Sequence, residues 1–286
     1  MTTALLDRFA PLAPQYDILL CDVWGVIHNG VAAFTDACDA LANFRAAGGA
    51  VVLVTNAPRP SDVVKGQLDR LQVRNDAYDA IVSSGDVTRS VILGRAGELV
   101  FHLGPARDRS LFDGLDAHFA SDADADYVVC TGLFDDDQET PDDYRAMLGC
   151  MLARNLFMAC ANPDVVVEKG DKLIYCAGAL ADLYKTMGGE VMYAGKPYAP
   201  IYDEALKLAS KARGKPAGRA RVLAIGDSLR TDLTGARDSG LDFLFVTSGI
   251  HAEELGPRDN PDGAALEALL SKAGARPKAV TPRLRW

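Results

Sequence analysis

Histidine is scarce, four in 286 residues, and cysteine stands at six. The cysteines lie at 21, 38, 130, 150, 160 and 176, with no CxxC pair and no zinc-ligand spacing. They read as small buried apolar residues of a reducing compartment. Long apolar runs are missing too: none reaches the ~18–20 residues of a membrane helix. The opening "MTTALLDRFAPLAPQ" has no basic segment followed by an apolar one, so it does not read as a secretory signal. A cytoplasmic protein is expected. Basic excess is also absent. Thirty Lys and Arg against 39 Asp and Glu leave a formal charge of −9, which argues against a nucleic-acid partner. There is no internal repeat.

What is present is an ordinary globular balance, 49% hydrophobic and 24% charged. The length suits one large domain or two modest ones. "DILLCDVW", "AVVLVTN" and "DAIVSSG" are short apolar runs bounded by turn residues, and so read as buried strands. "DACDALANFRAAGG" and "SDVVKGQLDRL" fall between them with helical spacing, Ser61 serving as N-cap of the second. Such alternation predicts an α/β fold with a doubly wound parallel sheet covered on both faces. The middle is less regular, with strands expected at "ELVFHLG", "YVVCTGLF", "LFMACA" and "VVVEKG". The first style then resumes from "EVMYAG", read as the strand that re-enters the core, through "ARVLAIG" and "LDFLFVTSG". Residues 1–86 and 192–286 are thus expected to form one discontinuous core, with 87–191 an inserted α/β domain. The basic tail "RPKAVTPRLRW" is either a docked extension or a loose end.

Three core strands end in polar residues. The first delivers Asp22, the second Thr55 and Asn56, and a later one Asp227, Ser228 and Asp232; Lys196 follows "EVMYAG". Ligands of open parallel sheets bind beyond the carboxyl ends of the strands. Carboxylates without His or Cys partners form a hard oxygen site suited to Mg²⁺. Thr55 and Asn56 can donate to phosphoryl oxygens, and Lys196 adds positive charge. Asp22 is then placed for in-line attack on phosphorus.

These segments, "DVWGV", "VLVTN", "GKP" and "GDSLRTD", stand in the order of the four motifs of the haloacid dehalogenase superfamily, which the chain resembles over nearly its whole length. The insertion resembles a class IIA cap, and "ANPD" (161–164) and "GAL" (178–180) fit that class. The resemblance implies a Mg²⁺-dependent phosphatase acting on a small phosphorylated metabolite. Asp22 would be the nucleophile and a metal ligand. Thr55, Asn56 and Lys196 would bind phosphate, Lys196 also ordering the aspartates. Asp227 would be the main second ligand, with Asp232 in support. Asn162 and Asp164 in the cap either touch substrate or shape a turn.

One position departs from the family. Its first motif is DxD, whose second aspartate protonates the leaving group; here Trp24 stands there. The indole has no titratable proton, though its backbone carbonyl still serves a metal. General acid–base catalysis is worth about 10²–10⁴ in rate. Either the leaving group is good enough to need no acid, as in an acyl phosphate, or His28 substitutes, or the protein binds phosphate esters in a regulatory role and hydrolyses them poorly. A phosphotransferase is a further alternative. Trp24 itself either packs or stacks on substrate. "SDADADY" is no calcium loop, because Tyr127 and Leu133 stand where Gly and Glu are required. Thr140-Pro141-Asp142-Asp143 reads as a helix start. His102, His118 and His251 read as structural. A homodimer is compatible with the sequence.

Overall fold

The computed structural model of the chain describes residues 4–169, 172–216 and 218–286. Two parallel sheets organise it. The first contains β1 (Ala4–Leu5), β2 (Ile18–Cys21), β3 (Ala50–Thr55) and β4 (Ala80–Ser83). The second contains β5 (Leu99–Leu103), β6 (His118–Phe119), β7 (Tyr127–Cys130) and β8 (Phe157–Cys160). After an antiparallel pair, β9 (Val166–Lys169) and β10 (Lys172–Tyr175), strand β11 (Val191–Tyr193) completes the second sheet. Strands β12 (Val222–Gly226), β13 (Asp242–Val246) and β14 (Ala279–Thr281) then return to the first.

The first sheet runs β1-β14-β13-β12-β2-β3-β4, parallel throughout. Strands β2 and β3 are buried along their whole length, so both faces must be apolar. Successive side chains alternate between faces. Leu19, Cys21, Val51 and Leu53 pack with Leu41 and Phe44 of α1 (Thr35–Ala46) and Leu68 of α2 (Ser61–Arg70). Ile18, Leu20, Val52 and Val54 pack on the other side, against Ile201 and Tyr202 of a later helix (Ala199–Arg213). That helix opens with Pro in its first turn and stops at Gly214, whose φ of +67° suits the left-handed cap. The chain winds outward from β2 in one direction and from β12 in the other. The β2–β12 seam is therefore the switch point where such sheets bind ligands.

The second sheet runs β11-β8-β7-β5-β6. One face buries Leu148 and Met151 of a helix at Arg145–Ala153 and Leu180 and Tyr184 of another at Ala177–Thr186. The other face buries Ile92, Leu111 and Phe112. Several expectations need correction. "EVMYAG" does not re-enter the core: β11 pairs with β8, Met192 opposite Ala159, so the crossing follows Tyr193. At the other border α3 (Ser84–Leu93) serves both units, Val87 packing on the first core and Ile92 on the second. Pro60, not Ser61, caps α2; the Ser61 N–H instead donates to Asp86 at 3.1 Å. Cys150 is exposed, while the other five cysteines are buried.

The helix start at Thr140 forms with a reciprocal capping box to Asp143. The tail is docked: β14 lies beside β13, and Trp286 meets Phe9 edge-on with ring centroids 6.1 Å apart. Among the described residues no helix is long and apolar enough to cross a membrane.

Candidate active site

The Asp22 N–H donates to Ile225 O at 2.8 Å, continuing the β2–β12 ladder past the last strand residue. Adjacent strands thereby place Asp22 beside Asp227. The Asp22 carboxylate accepts the Val23 N–H at 2.7 Å and the Lys196 ammonium at 2.6 Å, both on Oδ1. The same ammonium donates to Asp232 Oδ1 at 2.6 Å. Asp232 Oδ2 accepts the Ser228 N–H at 3.1 Å, and Asp227 Oδ2 accepts the Ile250 N–H at 2.8 Å. One oxygen from each of Asp22, Asp227 and Asp232 lies within 4.8 Å of the others. All four side chains are buried.

Three carboxylates around one ammonium leave an excess of negative charge in a desolvated place. Burial, then the nearby Asp232, pushes the Asp22 carboxyl well above its usual range. Burial and Asp232 likewise push Asp227 up to about 7. Burial opposes the charge on Lys196, but Asp22 and Asp232 outweigh it and hold the ammonium firmly protonated. A divalent cation bound by hard oxygens would relieve this excess, so the donor set fits Mg²⁺. Two glycines make room for the Asp227 carboxylate. A Cβ on Gly25 would stand 2.7 Å from Asp227 Cγ, and one on Gly249 2.5 Å from the same atom. The only local sign of either cradle glycine is a glycine soon after a core strand.

On the other side, Asn56 and Lys196 hold each other. The Lys196 N–H donates to Asn56 Oδ1 at 2.7 Å, and Asn56 Nδ2 donates back to Lys196 O at 3.1 Å. Asn56 Nδ2 also donates to Asp164 Oδ1 at 3.0 Å. Both amide protons are thus committed to protein oxygens. The expected phosphate donor Asn56 instead positions Lys196 and Asp164. Thr55 Oγ1 accepts the Ala57 N–H at 3.2 Å, and its hydroxyl proton can still serve an anion.

A cavity of about 60 Å³ is lined by Asp22, Trp24, Thr55, Asp164, Asp227 and Thr231. It shares Trp24, Thr55, Asp164 and Val167 with a neighbouring cavity of about 280 Å³. Arg59, Arg107, Asn162 and Tyr175 line that larger space. Ion pairs cross between the two sheet units: Arg59 Nε to Asp108 at 3.4 Å, both lining the larger cavity, and Arg230 to Asp182 at 2.6 Å. No local pattern announced either pair, because each joins residues 48 or more positions apart.

Trp24 forms a wall common to both cavities. Its ring lies edge-on to His28, centroids 5.1 Å apart, and over Gly30. A Cβ at Gly30 would come within 2.6 Å of the indole, and the residue's φ of +84° also favours glycine. His28 is not where an acid would have to be. It is buried under the indole, its Nδ1 accepts the Gly30 N–H at 2.9 Å, and it lines neither cavity. Burial lowers its pKa to about 4, so the ring is neutral near pH 7. Of the two alternatives for Asn162, the turn is present: its Oδ1 accepts the Asp164 N–H at 3.1 Å.

Known proteins share this fold. The haloacid dehalogenase-like hydrolase family matches residues 19–118, and the HAD-hydrolase-like family matches 193–285. The crystal structure of a hydrolase of the haloacid dehalogenase-like family from Brucella suis is 44% identical, with TM-score 0.87. The match covers 98% of this chain and 99% of that one. The chain belongs to the haloacid dehalogenase-like hydrolases. A further structure, described as a possible sugar phosphatase from Cytophaga hutchinsonii, is 20% identical to this hydrolase at TM-score 0.78 and covers 97% of each chain. Among curated proteins, the 5'-nucleotidase YutF of Bacillus subtilis is 22% identical over 84% of this chain and 90% of its own.

Proposed function

We propose that this hydrolase is a Mg²⁺-dependent phosphatase of a small phosphorylated metabolite, working through an aspartyl-phosphate on Asp22. The observation that carries the reading is the single ammonium of Lys196 shared by Asp22 and Asp232, with Asp227 alongside. Carboxylates kept this close in a buried place make sense where a cation and a phosphate are both bound. Asp22, Asp227 and the backbone carbonyl of Trp24 would hold the ion, with Asp232 in support. When bound, Mg²⁺ neutralises the carboxylates and draws charge from the phosphoryl oxygens.

The residues divide the remaining work. Both hydrogen bonds to Asp22 fall on Oδ1, so Oδ2 is assigned to attack phosphorus in line. Lys196 and the Thr55 hydroxyl hold the phosphoryl oxygens, and Asn56 keeps Lys196 in place. The second sheet unit acts as a cap. It covers the strand ends, bounds the leaving-group cavity and excludes water. The phosphate-binding and phosphotransferase alternatives rest on Trp24 alone, and no feature of the site favours them.

The test is phosphate release from a panel of phosphate esters with Mg²⁺. The names of the relatives put nucleoside monophosphates and sugar phosphates on it. Turnover should fall at least about 10³-fold in Asp22→Asn, as expected for loss of a nucleophile. Acid-stable phosphoryl label should also disappear from the protein. Turnover that survives Asp22→Asn would refute the mechanism.

A further inference from the structure

With Trp24 in the acid's place and His28 facing elsewhere, the reaction lacks an evident proton donor. Three carboxyl groups line the small cavity: Asp22, Asp227 and Asp164. The first two are taken by attack and metal binding. Asp164 alone is uncommitted to either, and it also lines the larger cavity where the leaving group would lie. We propose that Asp164, supplied by the cap, protonates the leaving oxygen and later activates water, replacing the aspartate that Trp24 displaces. This rests on the phosphatase reading above.

The carboxyl group is held for such work. Oδ1 is anchored by Asn56 Nδ2, itself locked to Lys196. The Asp164 N–H is fixed by Asn162, and its carbonyl oxygen accepts the Gly178 N–H at 3.1 Å. A Cβ on Gly178 would lie 2.7 Å from the Pro163 carbonyl carbon, so the "GAL" glycine permits this close approach. The groups that face Asp164 are Lys196 and Arg230, which favour its ionised form, and Asp232 and Asp227, which oppose it; the buried Cys176 and Cys160 thiols are further neighbours. Burial outweighs the cations and raises the carboxyl above its ordinary value. The other acids fit worse. Asp108 is paired with Arg59 and Asp136 with Arg107, and both line the larger cavity but not the smaller one.

The chemistry balances. As Asp22 Oδ2 bonds to phosphorus and the ester P–O bond breaks, the Asp164 proton passes to the departing oxygen and an alcohol leaves. The Asp164 carboxylate then takes a proton from water as the water oxygen bonds to phosphorus. The Asp22–phosphorus bond breaks, and phosphate leaves with both residues restored.

A series of phenyl phosphates, from dinitrophenyl to unsubstituted, tests this with Mg²⁺. Wild type should depend only weakly on leaving-group acidity. In Asp164→Asn the dependence should steepen, so that the phenyl-to-dinitrophenyl rate ratio falls about 10²–10⁴-fold. The alkaline limb of kcat/KM should also be lost, and Asp164→Glu should recover part of the ratio. Asp164→Ser serves in place of Asp164→Asn if the latter does not fold. A uniform loss across the series in Asp164→Asn, or a wild-type dependence already steep, would overturn the proposal. Failure of wild type to release phosphate even from dinitrophenyl phosphate would instead overturn the phosphatase reading beneath it.

Discussion

Replacing Gly249 by Ala isolates the geometry of the metal side. The new methyl would stand 2.5 Å from both Cβ and Cγ of Asp227 and closer still to its Oδ2, where ordinary contact is 3.4–4 Å. The Gly249 backbone does not sit in the left-handed region, so the clash is the main effect. Gly25 also lies against this carboxylate, where a Cβ would stand 2.7 Å from Cγ, leaving little room to retreat. Asp227 must yield by at least about 1 Å, a misplacement that costs about 10²-fold or more when a site needs close positioning. It would also strain the bond from the Ile250 N–H. Mg²⁺ affinity should fall about 10–100-fold, as when a metal ligand loses its support. Stability should drop by about 1–3 kcal/mol from overpacking. Calorimetric Mg²⁺ titration, the Mg²⁺ dependence of phosphate release and urea unfolding measure the three quantities. Gly263→Ala is the control, because a Cβ there meets nothing within 4 Å. Gly249→Ala with wild-type Mg²⁺ affinity would show that Asp227 is not a ligand, and the proposed metal site would be wrong.

Lys196→Met should cost about 3–5 kcal/mol in urea unfolding, because it strands buried carboxylates without their ammonium; added Mg²⁺ should recover part of it, and a loss under about 1 kcal/mol would contradict the electrostatic account. Burial and then Arg109 lower the His102 pKa to about 4, so the folded state holds a neutral ring and the unfolded state binds the proton first. Stability from this residue is complete above about pH 6.5 and is lost as pH falls through about 4, by about 3 kcal/mol. His102→Asn should flatten that acid limb of the unfolding curve; an unchanged limb would refute the assignment.

Strand-by-strand legibility had a simple cause. Strands β2, β3 and β12 are buried on both faces, so their composition is uniformly apolar over the strand length, and the polar residues begin where each strand ends. Asp22, Thr55 and Asp227 could therefore be found by reading forward. Strand β11 could not be allotted to a sheet, because a three-residue apolar run carries nothing that distinguishes β8 from a core partner. His28 does not face the site: a local turn, in which the Gly25 N–H donates to His28 O at 2.8 Å and the Gly30 N–H to its Nδ1 at 2.9 Å, carries the ring under the indole, and no apolar periodicity marks such a turn. Asn56 follows a strand end as a phosphate donor would, and only long-range contacts show its amide protons committed. Its acceptors, at Lys196 and Asp164, lie 140 and 108 residues away.

By itself the sequence determined the two-sided burial of the first sheet, the residues at its carboxyl edge and the family they signify. Each of these is encoded within a few neighbouring positions, by alternation, by strand length and by the polar residues just past each strand end. Only the tertiary structure decided which carboxyl groups share a cavity and which amide protons are already committed. Those depend on distances between segments far apart in the chain, and such distances exist only once both sheets have packed.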